Sequence, residues 1–351
     1  MKLNKNISLI KNNCLNYDKK LSDVIYLIKK IKKKIIFITK SNKLIGTITD
    51  GDIRKYHFKT DSNTLSVLKV MNSKPRYTFE NYKKSDLYKI DSKKIRYLPI
   101  LTKKKNIIKI IDLQKIKNYK HENHVVIFAG GFGKRLKPFT NNIPKPMLKI
   151  KKKPNLEILV ENLFKQGFKN INISLHYKHN YIVKKLKKRN DTGTVYFNIE
   201  QKPLGTAGAL SEIKFHNKLP IIAINADLIT NLDLNNLISY HNSSKSDFTI
   251  SVKKRDFQVP FATVDIKKDK IHSIEEKPTK DFFFNAGIYM IDQKVLKNMK
   301  KNTKIDMPDL IQNSIKKKHS VNAFYMYEDW IDYGSKETFL KLKRKNKKRR
   351  I

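Results

Sequence analysis

The stretch FAGGFGKRLKPFTNNIPKPMLKI, Phe128–Ile150, decides how this chain is interpreted. It follows the apolar run HVVIFA, which predicts a buried strand, and its glycines therefore form a turn from which backbone N–H groups can hold phosphate. A P-loop would need GxxxxGK[ST], which is absent from the chain. A dinucleotide fingerprint would need a third glycine after Gly131 and Gly133, but Leu136 stands there instead.

Two cations accompany the glycine turn. Arg135 lies just after the last glycine, and Lys145 lies between two prolines that stiffen its backbone. Positive charge beside a glycine turn is what a triphosphate requires when it loses pyrophosphate, because negative charge accumulates on the leaving group. The stretch therefore predicts phosphate chemistry.

Apolar strands and amphipathic helices alternate downstream of this stretch. NLEILVENLFKQGF (Asn155–Phe168) has apolar residues at helical spacing, and IIAINAD (Ile221–Asp227) begins as a buried strand. This alternation of strands and helices predicts an α/β fold with a Rossmann-like sheet, which is mixed but mostly parallel and has helices on both faces. Its ligands should bind at the carboxyl ends of the strands.

The first 120 residues contain a weak internal repeat. KIIFITKSNKLIGTITDGDI (Lys34–Ile53) and RYLPILTKKKNIIKIIDLQKI (Arg96–Ile116) each show two apolar strands joined by a lysine-rich turn, followed by a helical start. The repeat predicts a small α+β unit with pseudo-twofold symmetry. We divide the chain into residues 1–118, a linker at 119–123, a catalytic domain at 124–340 and a basic tail at 341–351. We expect the tail to be solvated and disordered, with contact to an acidic partner or a membrane surface as the alternative.

Composition narrows the classes of function. The chain has 351 residues and a net charge of +45, but the excess is nearly all lysine spread along the sequence, and no nucleic-acid-binding motif is present. We therefore expect no nucleic-acid partner. No apolar run is long enough to span a bilayer, and the N-terminus has no signal-peptide core, so we expect no stable membrane insertion. The single cysteine, Cys14, favours a reducing, cytoplasmic location.

The ordered motifs resemble the sugar-1-phosphate nucleotidyltransferases, whose signature is GGxGxRLxPxT followed by PKPM. The resemblance runs from about Val125 to Leu340 and continues in EQKPLGTAGAL, NADLIT, EEKP, NAGIY and WIDYGSKETF. It departs from the family mildly at Ala226, where glycine is usual.

This resemblance implies a role for each matching residue. Arg135, Lys145 and Lys277 would be catalytic. The nucleotide would contact Ala129, Gly130, Gly131, Gly133, Glu200 and Gly205, and the sugar phosphate would contact Glu276, Asn285 and Gly287. Asp227 and Asp332 would hold Mg²⁺, a hard cation that prefers carboxylate and phosphate oxygens.

The reaction implied is the transfer of a nucleotidyl group from an NTP to a sugar-1-phosphate, for bacterial surface or flagellin glycan precursors. Glu200 favours GTP, because a carboxylate accepts hydrogen bonds and guanine presents two adjacent donors. A hexose or hexosamine phosphate is the expected acceptor. Two alternatives stay open: a cytidylyl- or uridylyltransferase acting on another phosphorylated substrate, and an inactive nucleotide-binding regulatory subunit. We also expect a homo-oligomer.

The N-terminal repeat resembles a CBS-domain pair, a module that binds adenine nucleotides in many proteins. GTITDGD (Gly46–Asp52) carries the match, with Thr49 and Asp52 as the implied ligand contacts. The second copy has Asp112 and Lys115 at those positions and departs from the pattern. The resemblance thus implies one adenine nucleotide in a regulatory unit, and a purely structural or dimer-forming role is the alternative.

Overall fold

The computed structural model describes residues 12–31, 34–57, 64–90, 95–116, 120–150, 153–187 and 194–348. Residues 12–116 form an N-terminal unit and residues 120–348 a C-terminal domain. None of the helices in these ranges is long and apolar enough to cross a bilayer.

The N-terminal unit contains the predicted repeat as two small sheets with the same strand order. In each sheet the first strand is parallel to the second, and the second is antiparallel to the third. The first copy consists of β1 (Cys14–Asn16), α1 (Leu21–Lys30), β2 (Ile35–Lys40), β3 (Lys43–Thr49) and α2 (Asp50–His57). The second consists of α3 (Val67–Val70), β4 (Thr78–Phe79), α4 (Lys84–Lys89), β5 (Tyr97–Leu101), β6 (Ile107–Asp112) and α5 (Leu113–Ile116).

The two copies share one apolar core. Phe37 and Leu44 of the first sheet pack with Leu101 and Ile110 of the second. The turn of one copy also contacts the turn of the other, where the Leu44 N–H donates to the Lys105 carbonyl over 3.1 Å. The repeat therefore folds as one unit.

The C-terminal domain is built on a seven-stranded sheet with the order β16-β12-β15-β10-β7-β8-β9. Four of its neighbouring pairs are parallel and the two pairs made by β15 are antiparallel, which confirms the mixed, mostly parallel sheet. Its strands are β7 (His121–Phe128), β8 (Phe168–Leu175), β9 (Thr194–Ile199), β10 (Ile221–Asn225), β12 (Phe248–Gln258), β15 (Thr279–Ile291) and β16 (Val321–Met326).

The remaining strands form two small ladders, β11 (Leu228–Thr230) with β17 (Trp330–Asp332), and β13 (Thr263–Lys267) with β14 (Lys270–Glu275). The helices are α6 (Asn155–Lys165), α7 (His179–Leu186), α8 (Gly205–Gly208), α9 (Leu234–Ser243), α10 (Gln293–Leu296), α11 (Met307–Lys316) and α12 (Lys336–Lys348). Short 3₁₀ turns cover Lys134–Leu136, Lys145–Met147 and Ala209–Glu212.

Apolar layers cover both faces of the large sheet. Val125 and Ile127 of β7 face a layer that includes α6, α7 and α9, whereas Val126 faces α8, α10 and α11. The strand is thus buried on both sides, which is why it reads as a continuous apolar run. Parallel strands β7, β8 and β10 end at the same edge of the sheet, and the glycine stretch follows β7 there.

Two boundaries differ from the sequence prediction. β7 begins at His121, so residues 121–123 of the predicted linker belong to a strand, while residues 117–119 lie outside the described ranges. The tail from Lys341 continues α12 to Lys348, so the expectation of a disordered end is wrong over that stretch.

Buried ionic contacts join the two units. The guanidinium of Arg54 on α2 lies 2.6 Å from Asp50 and 2.7 Å from Glu328 of the C-terminal domain, with all three side chains at most 3% exposed. It also packs over the Phe324 ring, 3.9 Å from the centroid. Asn236 donates to Asp50 over 2.6 Å. We call Asp50, Arg54 and Glu328 the junction cluster.

Candidate active site

The glycine turn leaves little room for side chains at two positions. A Cβ on Gly130 would lie 3.2 Å from the His176 amide nitrogen. Gly133 has φ +66°, and a Cβ there would lie 3.1 Å from the Lys145 side chain. Gly131 differs, because a Cβ there would have open space around it. The turn thus packs tightly at Gly130 and Gly133 and leaves room beside Gly131.

Four of the predicted charged residues meet beside this turn. Lys145 forms an ion pair with Asp227, which follows β10. Asp332 ends β17 and pairs in register with Leu228, the residue after Asp227. Around Gly334, a Cβ would lie 2.9 Å from an Asp332 oxygen, 3.2 Å from the Arg135 guanidinium and 3.4 Å from the Lys145 ammonium. Two cations and two carboxylates therefore share one small volume.

Local contacts hold this cluster in place. The Gly334 N–H donates to Asp332 over 2.6 Å, and the Tyr333 N–H donates to the Asp227 carbonyl over 3.3 Å. The Lys145 ammonium lies 5.7 Å from the centroid of the Tyr333 ring. Burial raises the pKa of Tyr333, so its hydroxyl stays protonated at neutral pH.

A cavity of about 320 Å³ opens at this edge of the sheet. Seven predicted residues line it: Ala129, Gly130, Gly131, Lys145, Glu200, Gly205 and Asp227. A second cavity of about 740 Å³ lies against α6 and β11, but the glycine turn and the charged cluster do not border it. We therefore assign the candidate active site to the smaller cavity.

Glu200 is fixed on the cavity wall. One carboxylate oxygen accepts a hydrogen bond from the Ser174 hydroxyl, and the other accepts the Leu204 N–H over 2.9 Å. The Glu200 carbonyl lies 2.9 Å from Nδ1 of His176. A carboxylate has about four lone-pair positions, so acceptor capacity remains after these two bonds.

Gly205 allows a second loop to close the same cavity. Its φ is +74°, and a Cβ there would lie 2.6 Å from both the Ile305 carbonyl and an Asp306 carboxylate oxygen. Asp306 lines the cavity and accepts the Thr206 N–H over 3.3 Å. Only glycine fits where the 200–208 loop meets the 303–306 segment.

Gly287 lies against a polar side chain at the end of β10. Its φ is +71°, and a Cβ there would lie 2.6 Å from the amide nitrogen of Asn225. Asn225 lines the cavity, and its Oδ1 is buried without a hydrogen-bond partner among the described residues. Asn285, which is exposed, accepts the Gly287 N–H over 3.0 Å. An unsatisfied buried acceptor at a cavity wall is a candidate ligand contact.

Lys277 and Glu276 are not brought to this cavity. Their side chains are 58% and 72% exposed and lie 3.8 Å from each other, after the end of β14. Lys277 has φ +48°, a left-handed conformation. Within the described ranges, the structure thus separates the predicted sugar-phosphate lysine from the triphosphate cluster.

The donor set suits Mg²⁺. Asp227 and Asp332 offer hard carboxylate oxygens on adjacent backbone segments, and Asn225 adds an unsatisfied amide oxygen at the same strand end. No group of three or more His, Cys, Asp and Glu side chains in the described part of the chain could hold a metal. A two-carboxylate site still fits Mg²⁺, which usually keeps waters and substrate phosphates as its other ligands.

Sequence reasoning missed five polar lining residues: Ser174, His176, Thr206, Asn225 and Asp306. Three of them stand at or just beyond the carboxyl ends of β8 and β10, where ligands of parallel sheets bind. That position was a usable signal. Asp306 comes from a distant segment, and no local pattern in the sequence marks it.

Residues 124–349 match the family model for nucleotidyl transferases. The chain belongs to the nucleotidyl transferase family. The match covers the C-terminal domain from residue 124 onward, including the glycine turn, both aspartates and α12.

Two curated proteins similar to this chain are guanylyltransferases by name. The chain is 30% identical over 233 residues to a mannose-1-phosphate guanyltransferase of Yarrowia lipolytica, covering 61% of each protein. It is 30% identical over 216 residues to the D-glycero-alpha-D-manno-heptose 1-phosphate guanylyltransferase of Campylobacter jejuni, covering 61% of this chain and 96% of that one. The crystal structure of HddC from Yersinia pseudotuberculosis complexed with GMP-PN matches with 32% identity and a TM-score of 0.50. The match covers 64% of this chain and 99% of the HddC chain.

A further cavity of about 690 Å³ lies between the two units. The N-terminal unit contributes Thr49, and α9 of the C-terminal domain contributes Asn236 and Tyr240. Asp52 is not among the lining residues, and its carboxylate accepts both the Thr49 N–H, over 2.8 Å, and the Thr49 hydroxyl, over 2.7 Å. The structure thus places only one of the two predicted ligand contacts on the cavity wall.

Proposed function

We propose that this chain transfers a nucleotidyl group from an NTP, with GTP favoured, to a sugar-1-phosphate and releases pyrophosphate. The observation that carries the proposal is the meeting of Arg135, Lys145, Asp227 and Asp332 beside a glycine turn. Membership of the nucleotidyl transferase family supports the same reaction.

The chemistry needs no general base, because the attacking oxygen of the sugar-1-phosphate is already anionic. That oxygen bonds to the α-phosphorus of the NTP as the bond between the α-phosphorus and the bridging oxygen to the β-phosphorus breaks. Both electrons of the broken bond leave with pyrophosphate. Arg135 and Lys145 offset the charge that develops on this leaving group, and N–H groups of the glycine turn orient the triphosphate.

Mg²⁺ bound by Asp227 and Asp332 would supply further charge neutralisation on the phosphates. In the structure Lys145 forms an ion pair with Asp227, and this contact holds the carboxylate at the cavity wall. Binding of a triphosphate gives the lysine ammonium an alternative anionic partner. We infer that Lys145 exchanges Asp227 for phosphate when the NTP binds.

The preference for guanine is supported by Glu200. Its two fixed oxygens face a cavity in which a base with two adjacent N–H donors can bind. GMP-PN, the nucleotide in the HddC complex, contains guanine, which agrees with this assignment. The acceptor is proposed as a hexose, hexosamine or heptose 1-phosphate. A role in precursors of bacterial surface or flagellin glycans is a further part of the proposal.

The first test is pyrophosphate release from five nucleotides, GTP, ATP, CTP, UTP and dTTP, with mannose-1-phosphate, glucosamine-1-phosphate and a heptose 1-phosphate. We expect release with GTP and one acceptor, lost in Asp227→Asn and kept in Asp18→Asn, which alters an exposed turn residue. Release with CTP or UTP would overturn the assignment of Glu200 to guanine and favour the first alternative. If folded protein releases no pyrophosphate with any combination of nucleotide and acceptor, the result would favour an inactive regulatory subunit.

A regulatory role for the N-terminal unit is supported by the cavity between the units. Lys34, Arg76 and Arg96 line it and provide positive charge for a phosphate, while Tyr97 provides an aromatic face. An adenine nucleotide, as the CBS-like repeat implies, would fit this chemistry. Calorimetry on the full chain with AMP, ADP and ATP tests it. Binding that is weakened by Thr49→Ala supports the role, and absence of heat with all three nucleotides removes it.

A further inference from the structure

A long β arm extends from the C-terminal domain. It consists of residues 255–285: the distal part of β12, the β13–β14 hairpin and the first part of β15. β12 and β15 pair from Val252 with Asn285 out to Gln258 with Thr279. Ribbons of two strands are marginally stable in water unless they pack against something. The arm therefore calls for a packing partner.

Apolar side chains cover much of the arm. On the hairpin, Val264 pairs with Ile274 and Ile266 with Ile271. On the ribbon, the ring of Phe257 lies 5.8 Å from that of Phe282 and 5.7 Å from that of Phe284. These seven side chains and Phe261 are 38–74% exposed.

The exposed apolar area is large for a monomer. With 150–250 Å² for a fully exposed large side chain, the eight side chains present roughly 800 Å². Typical monomers leave apolar patches of about 300–600 Å², and each partner of a standard interface contributes about 800 Å². The arm thus carries enough apolar surface for one half of a stable interface.

The balanced charge of the arm favours a second copy of this chain as its partner. Residues 255–285 contain six basic and six acidic residues, whereas the whole chain has a net charge of +45. Two copies approaching by lysine-rich faces would repel each other, and at the neutral arm this repulsion is smallest. A nucleic acid or an acidic protein would instead select the lysine-rich faces.

We infer that the arm is the surface through which two copies of this chain form a dimer. A twofold contact places the same apolar face of each copy against its counterpart. Glu276 and Lys277 follow the hairpin directly and precede the buried Pro278, whose carbonyl accepts the Val259 N–H over 2.9 Å. Docking of the arm therefore fixes the segment that carries Lys277, a consequence that rests on the proposed function.

Sedimentation velocity of the full chain over a range of concentrations tests the inference. We expect a concentration-dependent dimer, and in Ile271→Asp/Ile274→Asp a dissociation constant raised by at least about 100-fold, because carboxylates would be buried without partners. The matched control is Ile315→Asp, which changes an exposed isoleucine of α11 and should leave the dimer intact. A wild-type monomer at every concentration, or an unaffected dimer in the double variant, overturns the inference.

Cross-linking provides a second measurement that does not depend on the folding of the aspartate variants. The single native cysteine is first removed by Cys14→Ser, and Ile266→Cys or Ile315→Cys is then introduced. A thiol-specific bifunctional reagent should give covalent dimer from Ile266→Cys and little from Ile315→Cys. Equal yields from the two variants would contradict an interface at the arm. Neither experiment uses substrate, so a dimer without pyrophosphate release would remove the proposed function and leave this inference standing.

Discussion

Arg54 is the cation of the junction cluster, and Arg54→Met removes its charge while keeping much of its aliphatic length. The substitution leaves Asp50 and Glu328 buried, at most 3% exposed, without the guanidinium that pairs with both. Breaking a buried ion pair by deleting one partner costs about 3–5 kcal/mol, because an uncompensated charge remains in the interior. We therefore expect a loss of about 4 kcal/mol in the free energy of unfolding at slightly alkaline pH.

The pH dependence separates lost charge from lost packing. Burial raises the pKa of Asp50, so without Arg54 this carboxylate can relieve the penalty by binding a proton, and each unit of pH is worth about 1.4 kcal/mol per proton taken up. Lowering the pH by two units should therefore recover about 2 kcal/mol or more of the loss relative to wild type. Loss of contact with the Phe324 ring has no such dependence on pH.

The assay is urea unfolding followed by tryptophan fluorescence and far-UV circular dichroism. The one tryptophan, Trp330, lies two residues from Glu328 and reports on the junction. Arg255→Met is the matched control, since Arg255 is exposed and lies 5.3 Å from the Trp330 ring centroid. We expect it to cost less than about 1 kcal/mol. A loss in Arg54→Met that equals the control, or that does not change with pH, would refute the reasoning.

Three further predictions concern single side chains. Burial raises the pKa of Asp50 from 3.8 to about 6, so the stability that its protonated form contributes is lost as the pH rises through this window. In Asp50→Asn, the urea concentration at half-unfolding should therefore vary less between about pH 4 and 6 than in the wild type. Glu200→Gln should lower pyrophosphate release with GTP relative to UTP, measured as the ratio of kcat/KM values, because one acceptor becomes a donor. Gly205→Ala should reduce the free energy of unfolding by about 2–4 kcal/mol, since its Cβ would meet the Ile305 carbonyl at 2.6 Å, whereas Gly131→Ala should cost less than about 1 kcal/mol in urea unfolding.

The carboxyl edge of the sheet was predictable because its signals are local. The end of a buried strand, a glycine turn and nearby cations all fall within Phe128–Ile150, and the structure places this turn at the carboxyl edge of the sheet, where Lys145 pairs with Asp227. The positions of the strands also follow from apolar runs that must be covered on both faces. The position of the glycine turn could be predicted because one segment alone determines it.

Contacts between distant segments were not predictable from the sequence. Asp306 reaches the cavity only because Gly205 lets the backbone of another segment approach within 2.6 Å of where its Cβ would be. Glu328 meets Arg54 across 274 positions of the chain. No spacing rule connects such residues, since their proximity depends on how separate elements pack. The exposure of the arm could not be predicted for the same reason, because it depends on where the other elements of the fold pack.

The junction cluster also gives the N-terminal unit a physical route to the candidate active site. Asp50 and Arg54 border the cavity between the units, and Arg54 pairs with Glu328, four residues before Asp332 on β17. We expect a ligand in that cavity which attracts Arg54 to weaken the Arg54–Glu328 ion pair and thereby to shift β17 and Asp332. Coupling of this kind would be reciprocal, so we expect a nucleotide in the candidate active site to change the affinity of the inter-unit cavity by the same factor. Calorimetric titration of AMP with and without a bound GTP analogue would measure that factor as the ratio of the two AMP affinities. In Glu328→Gln this ratio should be closer to one, because the route between the two sites is weakened.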